Sequence, residues 1–272
     1  MEGTARLRVG VLLILIVVGL VSSLGTAWRT GDWEGLFLNL GTEMLGAVAT
    51  YVLLELFIGG RERREANKAA LIAQLGSRVN DVTVAAAEEL RRHGWLCDGS
   101  LQKAILHGAN LEGINLSEAN LKKADLSDAN LEEANLTEAN LQGADLFTAN
   151  LQGAILWGTN LEGAHLTQSN LRGAIMWGAN LEGAHLYKAD LQWAILEGAT
   201  LRETNLEEAI LREANLQGAD LIGANLKGAF LDEAGLSENT TLSDGTKWTL
   251  DTDMARFTDP DHPDFWHPEE PS

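Results

Sequence analysis

ANLQGADLFTANLQGAILWGTN, residues 139–160, contains the unit that determines the fold of this chain. Leucine stands at every fifth position, a small residue stands two positions earlier, and Asn or Asp usually lies between them. The same spacing covers residues 101–236, where all 28 positions hold leucine except Met176. Alanine occupies 23 of the 27 small-residue positions in residues 104–234. The chain therefore carries a tandem five-residue repeat, A(N/D)LXX.

A period of five fits neither regular secondary structure. On an α-helix, five residues rotate a side chain away from any single face. On a flat strand, an odd period places successive leucines on opposite faces. The leucines can share one core only if the chain turns a corner between them, and such short-period repetition is typical of a solenoid.

The repeat unit resembles the pentapeptide-repeat family over residues 101–238. The resemblance implies a right-handed, four-sided β-helix with four pentads per coil, and therefore seven coils. At roughly 4.8 Å per coil the rod would be on the order of 34 Å long. In that geometry leucine and alanine point inward, Asn or Asp bonds to backbone at the corners, and glycine two positions after leucine supplies a positive φ.

Charge is unevenly distributed along a chain whose formal net charge is −19. Residues 1–97 hold 10 acidic and 10 basic residues, residues 98–238 hold 21 and 8, and residues 239–272 hold 8 and 2. The repeat region, with a net charge of 8 − 21 = −13, is too acidic to bind nucleic acid by counterion release. The one cysteine, Cys97, excludes an internal disulfide and suits a reducing compartment.

Two apolar stretches, residues 9–27 and 36–58, precede the repeats, and each is about long enough to span a bilayer. Two arginines precede the first stretch, one lies between the stretches and four basic residues follow the second within residues 61–68. The positive-inside rule then places both termini and the repeats in the cytoplasm of a bacterial cell. Residues 1–60 are accordingly predicted to be a two-span membrane anchor in contact with the lipid bilayer. A cleaved signal peptide is the alternative interpretation of the first stretch.

The second stretch contains the carboxylates Glu43 and Glu55. Acidic residues within a membrane are functional candidates, and small residues allow helices to approach closely. Glu43 and Gly46 are therefore predicted to mark an intramembrane contact between helices. Helix association is preferred to transport, because two helices with one buried acid give little basis for an ion pathway.

An amphipathic linker helix is predicted over residues 61–94, because apolar residues recur there at intervals of three and four. The positions are Ile72, Leu75, Val79, Val82 and Ala86. This seam would form a short coiled coil, or would pack on the end of the solenoid or on the membrane surface. Residues 95–238 are assigned to the repeat β-helix. Residues 239–272 are assigned to a C-terminal cap and tail, beginning with a hairpin about Asp244 and Gly245.

Residues twenty apart form columns if four pentads make one coil. One column carries isoleucine in three successive coils with tryptophan beside two of them, on a rod otherwise covered by Asn, Glu, Gln and Lys. Contiguous exposed apolar surface indicates an interaction site, and Trp is enriched at binding hot spots. Covering of this patch by the linker helix is the alternative. The candidate interaction patch comprises Ile155, Trp157, Ile175, Met176, Trp177, Trp193 and Ile195.

A second column reads Asp125, Asp145, His165 and His185. Two histidines and an aspartate could hold a metal, but solvated side chains on a solenoid give the same pattern, so no metal or other cofactor is predicted. Paired acids such as Glu132 and Glu133 lie on a convex surface with no implied cleft. Since nucleotide-binding, redox and metalloprotease motifs are absent from the sequence, no enzyme activity is predicted.

The leading functional hypothesis is a membrane-anchored scaffold that binds a protein partner or associates with itself, with no specific biochemical role assigned. One alternative, suggested by soluble members of the family, is inhibition of a type II topoisomerase by mimicry of DNA, which the acidic repeat region favours. The other is a regulatory domain of a small membrane channel or carrier, for which Glu43 is the only support.

Overall fold

A computed structural model describes residues 33–267 of the chain and the isolated positions 14, 17, 18, 21 and 29. Helix α1 is Trp33–Leu75, α2 is Asn80–Arg92 and the short α3 is Ala255–Thr258. The repeats lie between α2 and α3. The chain divides into two compact units, Met1–Asn67 and Lys68–Ser272.

The repeats form a four-sided solenoid in which residues twenty positions apart pair between successive coils. The pairing is parallel and runs from Ile105–Asp125 to Asn215–Gly235. Twenty residues per coil correspond to four pentads, so each pentad contributes one wall and one corner. Seven coils thus accommodate the 28 leucine positions. The last pair, Asp220 with Thr241, spans one residue more, and the repeat ends there.

Each corner is a tight turn whose third residue has a positive φ. The amide of the alanine position donates to the carbonyl of the preceding leucine position, as Ala144 does to Leu141 at 2.9 Å. Every position two residues after a leucine position, from Lys103 to Glu233, has φ between +54° and +72°. Glycine adopts such φ values most easily, but 14 of these 27 residues are not glycine. The coil geometry therefore imposes the turn on other residue types as well.

Leucine and alanine point into the solenoid, and the leucine positions 101–226 are all buried. Three alanine positions hold a hydroxyl residue instead: Thr159, Ser169 and Thr204. Each of these hydroxyls donates to a backbone carbonyl, at 2.7, 2.8 and 2.9 Å respectively. Because every one has an acceptor, these polar groups are accommodated in an otherwise apolar core.

The segment before the repeats covers the first coil. Asn120 donates its backbone N–H to the carbonyl of Leu96 at 2.8 Å. Arg91 on α2 donates to both the backbone and the side-chain oxygen of Asn115, each at 2.8 Å. Trp95 is buried with the leucine core. This cover satisfies backbone groups that the first coil would otherwise present as an open edge.

The linker helix predicted over residues 61–94 is instead two helices, since α1 ends at Leu75 and α2 begins at Asn80. Of the predicted seam, Leu75 and Ala86 are buried, whereas Val79 and Val82 are exposed. The break places the apolar positions of α2 in a different phase from those of α1. A single coiled-coil seam through this segment is therefore wrong.

The segment after the repeats covers the last coil. Gly228 donates its amide to the carbonyl of Thr258 at 2.7 Å. Phe257 on α3 is 1% exposed, and its ring centroid lies 6.3 Å from that of Trp266. The aromatic residues of residues 239–267 thus close the core at this end.

The hairpin predicted about Asp244 and Gly245 begins this segment. Thr241 pairs with Lys247 in the antiparallel sense. Gly245 has a φ of +83°, and the side chain of Asp244 accepts the amide of Thr246 at 2.9 Å. The Asp-Gly turn predicted from the sequence is therefore the turn of the folded hairpin.

Among the residues that the structure describes, no helix combines the length and the apolar composition needed to cross a bilayer. The prediction of a two-span membrane protein is therefore wrong. The second predicted span, 36–58, is part of α1, which carries Glu55 and continues into the charged residues 61–65. A span needs roughly 20 predominantly apolar residues, whereas Asn39, Glu43 and Glu55 interrupt this stretch.

The first predicted span, 9–27, lies outside the described residues apart from positions 14, 17, 18 and 21. Three predictions depended on the two spans: the lipid bilayer as a partner, the cytoplasmic placement of both termini and the repeats, and the role as a domain of a channel or carrier. The localisation with two spans is wrong because of the second span. The lipid bilayer as a partner and the channel or carrier role stay predictions.

Candidate interaction face

One wall of the middle coils is apolar on its outer side. Ile155, Ile175 and Ile195 pair in register along this wall, and each is 37% exposed. Trp157 and Trp177 follow the first two at the adjoining corner and are also exposed. These five residues are here called the isoleucine–tryptophan face. Helix α2 leaves it uncovered, because the contacts of α2 are with the first coil.

The two tryptophans of this face form a stack along the solenoid. Their ring centroids are 5.8 Å apart and their planes differ by 9°. Because the side chains come from adjacent coils, Trp157 covers one side of Trp177 and leaves the other side directed toward the next coil. The solenoid repeat therefore holds a rigid aromatic pair at the surface.

The isoleucines also change the hydrogen bonding of the backbone. Elsewhere the Asn or Asp at this position accepts the amide two residues later, as Asn135 does from Thr137 at 3.0 Å. Isoleucine has no acceptor. The amides of Trp157, Trp177 and Glu197 accordingly have no hydrogen-bond acceptor within the described part of the chain. The face thus presents three unpaired donors beside its apolar side chains.

Trp193 lies at the corner next to the face, as the sequence suggested, whereas Met176 does not reach the surface. Trp193 lies at the neighbouring corner, 48% exposed, with the guanidinium of Arg172 4.5 Å from its ring centroid. Met176 is fully buried, because it takes the inward position of a leucine. It therefore contributes to the core under the face and has no surface to offer a partner.

A groove adjoins the free side of Trp177, and sequence reasoning missed it. Its volume is about 330 Å³. Three of its lining residues are glycines with positive φ, so the corner lacks side chains there for three coils. The glycine column was visible in the sequence, but its proximity to Trp177 required the corner geometry. The groove is lined by Trp177, Gly178, Glu197, Gly198, Gln217, Gly218, Ser237 and Asn239.

The histidine column lies on the opposite wall. The ring centroids of His165 and His185 are 4.8 Å apart, with planes inclined by 39°. The pKa of His185 is lowered from 6.5, first by burial and second by the charge of His165. In the described residues no group of three or more His, Cys, Asp or Glu side chains could hold a metal ion.

The proposed helix contact at Glu43 and Gly46 falls on α1. The side chain of Glu43 lies outside the part of the structure that is described. Gly46 is exposed, with nothing within 4 Å of the position that a Cβ would take, and its carbonyl accepts the hydroxyl of Thr50 at 2.8 Å. The helix contact at this pair stays a prediction.

Sequence comparison identifies the repeats. The profile of the pentapeptide repeats family matches in eight copies, within residues 114–149, 144–174, 164–202 and 201–237. A search of curated proteins returned no match.

Several solved structures resemble the chain. HetL, a pentapeptide repeat protein involved in heterocyst differentiation regulation from the cyanobacterium Nostoc sp. strain PCC 7120, is 36% identical; the match covers 54% of this chain and 73% of HetL, with a TM-score of 0.31. Rfr23 from the cyanobacterium Cyanothece 51142 is 31% identical over 51% of this chain and 90% of its own, with a TM-score of 0.25. QnrB1, a plasmid-mediated fluoroquinolone resistance protein, is 18% identical over 55% of this chain and 83% of its own, with a TM-score of 0.32.

The profile match falls on residues that build the coils, and HetL and Rfr23 each exceed 30% identity over more than two thirds of their own length. The chain is therefore a member of the pentapeptide-repeat family, and its repeats form the right-handed β-helix of that family.

Proposed function

We propose that the solenoid is a non-enzymatic protein-binding module and that the isoleucine–tryptophan face binds its partner. The observation that carries this proposal is the three-coil apolar ladder with a stacked tryptophan pair at the surface of the solenoid. Exposed apolar patches with rigid aromatic anchors are typical of protein interfaces. Trp177 is the residue we expect to lose most surface on binding.

The unpaired amides favour a protein as the partner. An N–H group buried without an acceptor costs about 1–3 kcal/mol, so whatever covers the face must supply oxygen atoms for Trp157, Trp177 and Glu197. A protein surface offers carbonyl and side-chain oxygens together with apolar groups. The face therefore needs a partner that buries its apolar side chains and also supplies hydrogen-bond acceptors for its amides. This double need favours a specific protein partner over non-specific hydrophobic association.

Photocrosslinking in the cell tests this proposal. A photoreactive amino acid replaces Trp177, and a second variant carries it in place of Phe147. Phe147 is the matched control because it is aromatic, occupies the same turn position on the opposite wall and is 43% exposed against 45% for Trp177.

The expected result is a crosslinked product from Trp177 that is absent at Phe147. A product of twice the monomer mass would identify a second copy as the partner, and any other mass would identify a different protein. Equal yields at the two positions, or no product at either, would contradict the proposal.

Inhibition of a type II topoisomerase stays a second candidate, because the repeat region carries a net charge of 8 − 21 = −13. The apolar wall of the middle coils argues against this candidate, because a DNA mimic would be acidic throughout. Supercoiling by purified gyrase in the presence of excess full-length chain distinguishes topoisomerase inhibition from the protein-binding proposal. Unchanged supercoiling would remove this candidate and leave the protein-binding proposal standing.

A further inference from the structure

We infer that the groove beside Trp177 is a binding cleft for an arginine side chain of the partner, an inference that rests on the proposed function. The groove offers what a guanidinium group needs: an open aromatic face, a carboxylate beside it and polar groups beyond. The occupant is therefore a basic segment of a protein.

The aromatic surface is the free side of Trp177. Trp157 stacks on the other side, and Trp177, which is 45% exposed, lines the groove. Gly178 and Gly198 form the corner here, with nothing within 4 Å of the position where a Cβ would stand. A planar group can therefore lie against the ring without meeting another side chain.

The carboxylate is that of Glu197, whose side chain is exposed at the edge of the groove. The amide of Asn215 donates to its Oε2 at 3.3 Å, which directs the carboxylate along the wall. The cation nearest the far end of the groove, Lys247, already donates to the carbonyl of Asn239 at 2.7 Å. Among the described residues, no cationic side chain donates to the carboxylate of Glu197.

The net charge of the repeat region supplies the long-range attraction. A surface with 21 acidic and 8 basic residues draws basic segments toward it and repels acidic ones. This charge argues against a second copy of the acidic solenoid as the occupant of the groove.

The molecule already contains a contact of this chemical type at its neighbouring corner, although at a different turn position. The guanidinium of Arg172 lies 4.5 Å from the ring centroid of Trp193 and donates to the carboxylate of Asp190 at 3.0 Å. There the chain supplies its own arginine. In the described residues Trp177 shares a groove with Glu197, and no arginine or lysine lies over its ring.

Arginine fits this cleft better than lysine. Its planar guanidinium can stack on the indole and donate in two directions at once, to a carboxylate and to an amide oxygen such as that of Gln217. A lysine ammonium would use the carboxylate but would gain less from the flat face of the ring.

Binding of a defined peptide to the full-length chain tests the inference. The probe is a fluorescein-labelled peptide of alternating arginine and serine, and the comparison peptide has citrulline, the uncharged isostere, at each arginine. We expect Trp177→Ala to weaken binding about tenfold and Glu197→Gln about fivefold in fluorescence anisotropy. Glu182→Gln, an exposed glutamate at the same turn position on the next wall, should leave affinity unchanged.

A second pair of variants fills the groove without touching its functional groups. Gly198→Asn places a side chain in the groove, and Gly183→Asn places one at an equivalent corner outside it. Both glycines have nearly the same φ, +65° and +64°, and open space around the Cβ position, so the two variants carry the same backbone strain. Only Gly198→Asn is expected to reduce peptide binding.

Equal weakening by Glu182→Gln and Glu197→Gln would overturn the inference, because attraction would then come from the whole acidic surface. Equal affinity for the citrulline peptide would overturn it as well. A specific crosslink at Trp177 together with either result would leave the proposed function intact and refute the arginine cleft alone. Capture of an unidentified protein would not by itself support the cleft.

Discussion

Two neighbouring walls of the solenoid share one backbone geometry and differ in what they present to solvent. The asparagine wall consists of Asn110, Asn130, Asn150 and Asn170, whose amides donate to the preceding asparagine at 3.4, 3.0 and 2.9 Å. The same residues also accept backbone amides of their own turns. On the isoleucine–tryptophan face both sets of bonds are absent over three coils.

The difference shows that the residue at the outward position before each leucine decides whether the hydrogen-bonding groups of a wall are satisfied within the solenoid. An asparagine there closes its turn and links to the next coil, so the wall needs nothing further. An isoleucine leaves an apolar group and an unpaired amide together. The coil tolerates both, since its leucine core and inter-coil backbone bonds are the same beneath each wall.

The largest expected effect comes from converting one wall into the other. The double substitution Ile155→Asn and Ile175→Asn should reduce crosslinking from Trp177 about tenfold or more, because the apolar anchor is lost and the new side chains close the turns. Thermal unfolding should show the midpoint unchanged or raised. Crosslinking at the wild-type level would show that the ladder is not the binding surface.

The next effect concerns stability within the asparagine wall. Asn150→Ala removes bonds to two neighbouring coils and to the amide of Gln152, so we expect a loss of about 1–3 kcal/mol in the free energy of unfolding measured with denaturant. The control Ile175→Ala loses apolar contact but breaks no hydrogen bond, and should lose less than about 1 kcal/mol. Equal losses would mean that the hydrogen bonds of the asparagine wall add nothing to stability.

A smaller effect is expected on the histidine wall. The pKa of His185 in the folded chain is lowered from 6.5, by burial and then by His165. Since the unfolded state takes up the proton first, the free energy of unfolding should fall as the pH drops through 6.5 toward the folded pKa. His185→Asn should remove this component, whereas the exposed His107→Asn should retain it. Denaturant unfolding at several pH values measures the slopes, and identical slopes for all three proteins would contradict this account.

The smallest effect belongs to the core beneath the isoleucine–tryptophan face. Met176→Leu restores the leucine ladder with nearly the same volume, so stability should change by less than about 1.5 kcal/mol. Crosslinking from Trp177 should be unaffected because Met176 has no exposed surface. A loss of crosslinking would place Met176 in the binding surface after all.

Much of the solenoid could be predicted because its repeat is strict. A five-residue period with leucine at each step requires a corner between successive leucines, and the family resemblance implied four walls and therefore a period of twenty. The columns through Ile155, Ile175 and Ile195 were therefore predictable, as was the hairpin at Gly245. The burial of Met176 follows from the same rule, since it stands in a leucine position, but its departure from leucine was taken as a surface feature.

Predictions outside the repeats were less successful, since apolar composition alone does not say what an apolar helix contacts. The stretch 36–58 was interpreted as a membrane span because of its length, yet it is one part of the longer α1. The seam through residues 61–94 was interpreted as continuous, yet the chain breaks after Leu75. Packing on the end of the solenoid was one of the predicted alternatives, and α2 contacts the first coil. The position of the break is set by the end of the solenoid, which local periodicity does not reveal.

The sequence by itself determined a solenoid and which side chains point inward, because its five-residue repeat is strict. The seven coils and the columns followed once the family resemblance implied four pentads per coil. Only the tertiary structure decided that Trp157 and Trp177 stack, that three amides lose their acceptors and that a groove opens beside Trp177. These features depend on distances between residues of adjacent coils. Coil spacing and corner geometry set those distances, and neither is contained in the order of residues along one pentad.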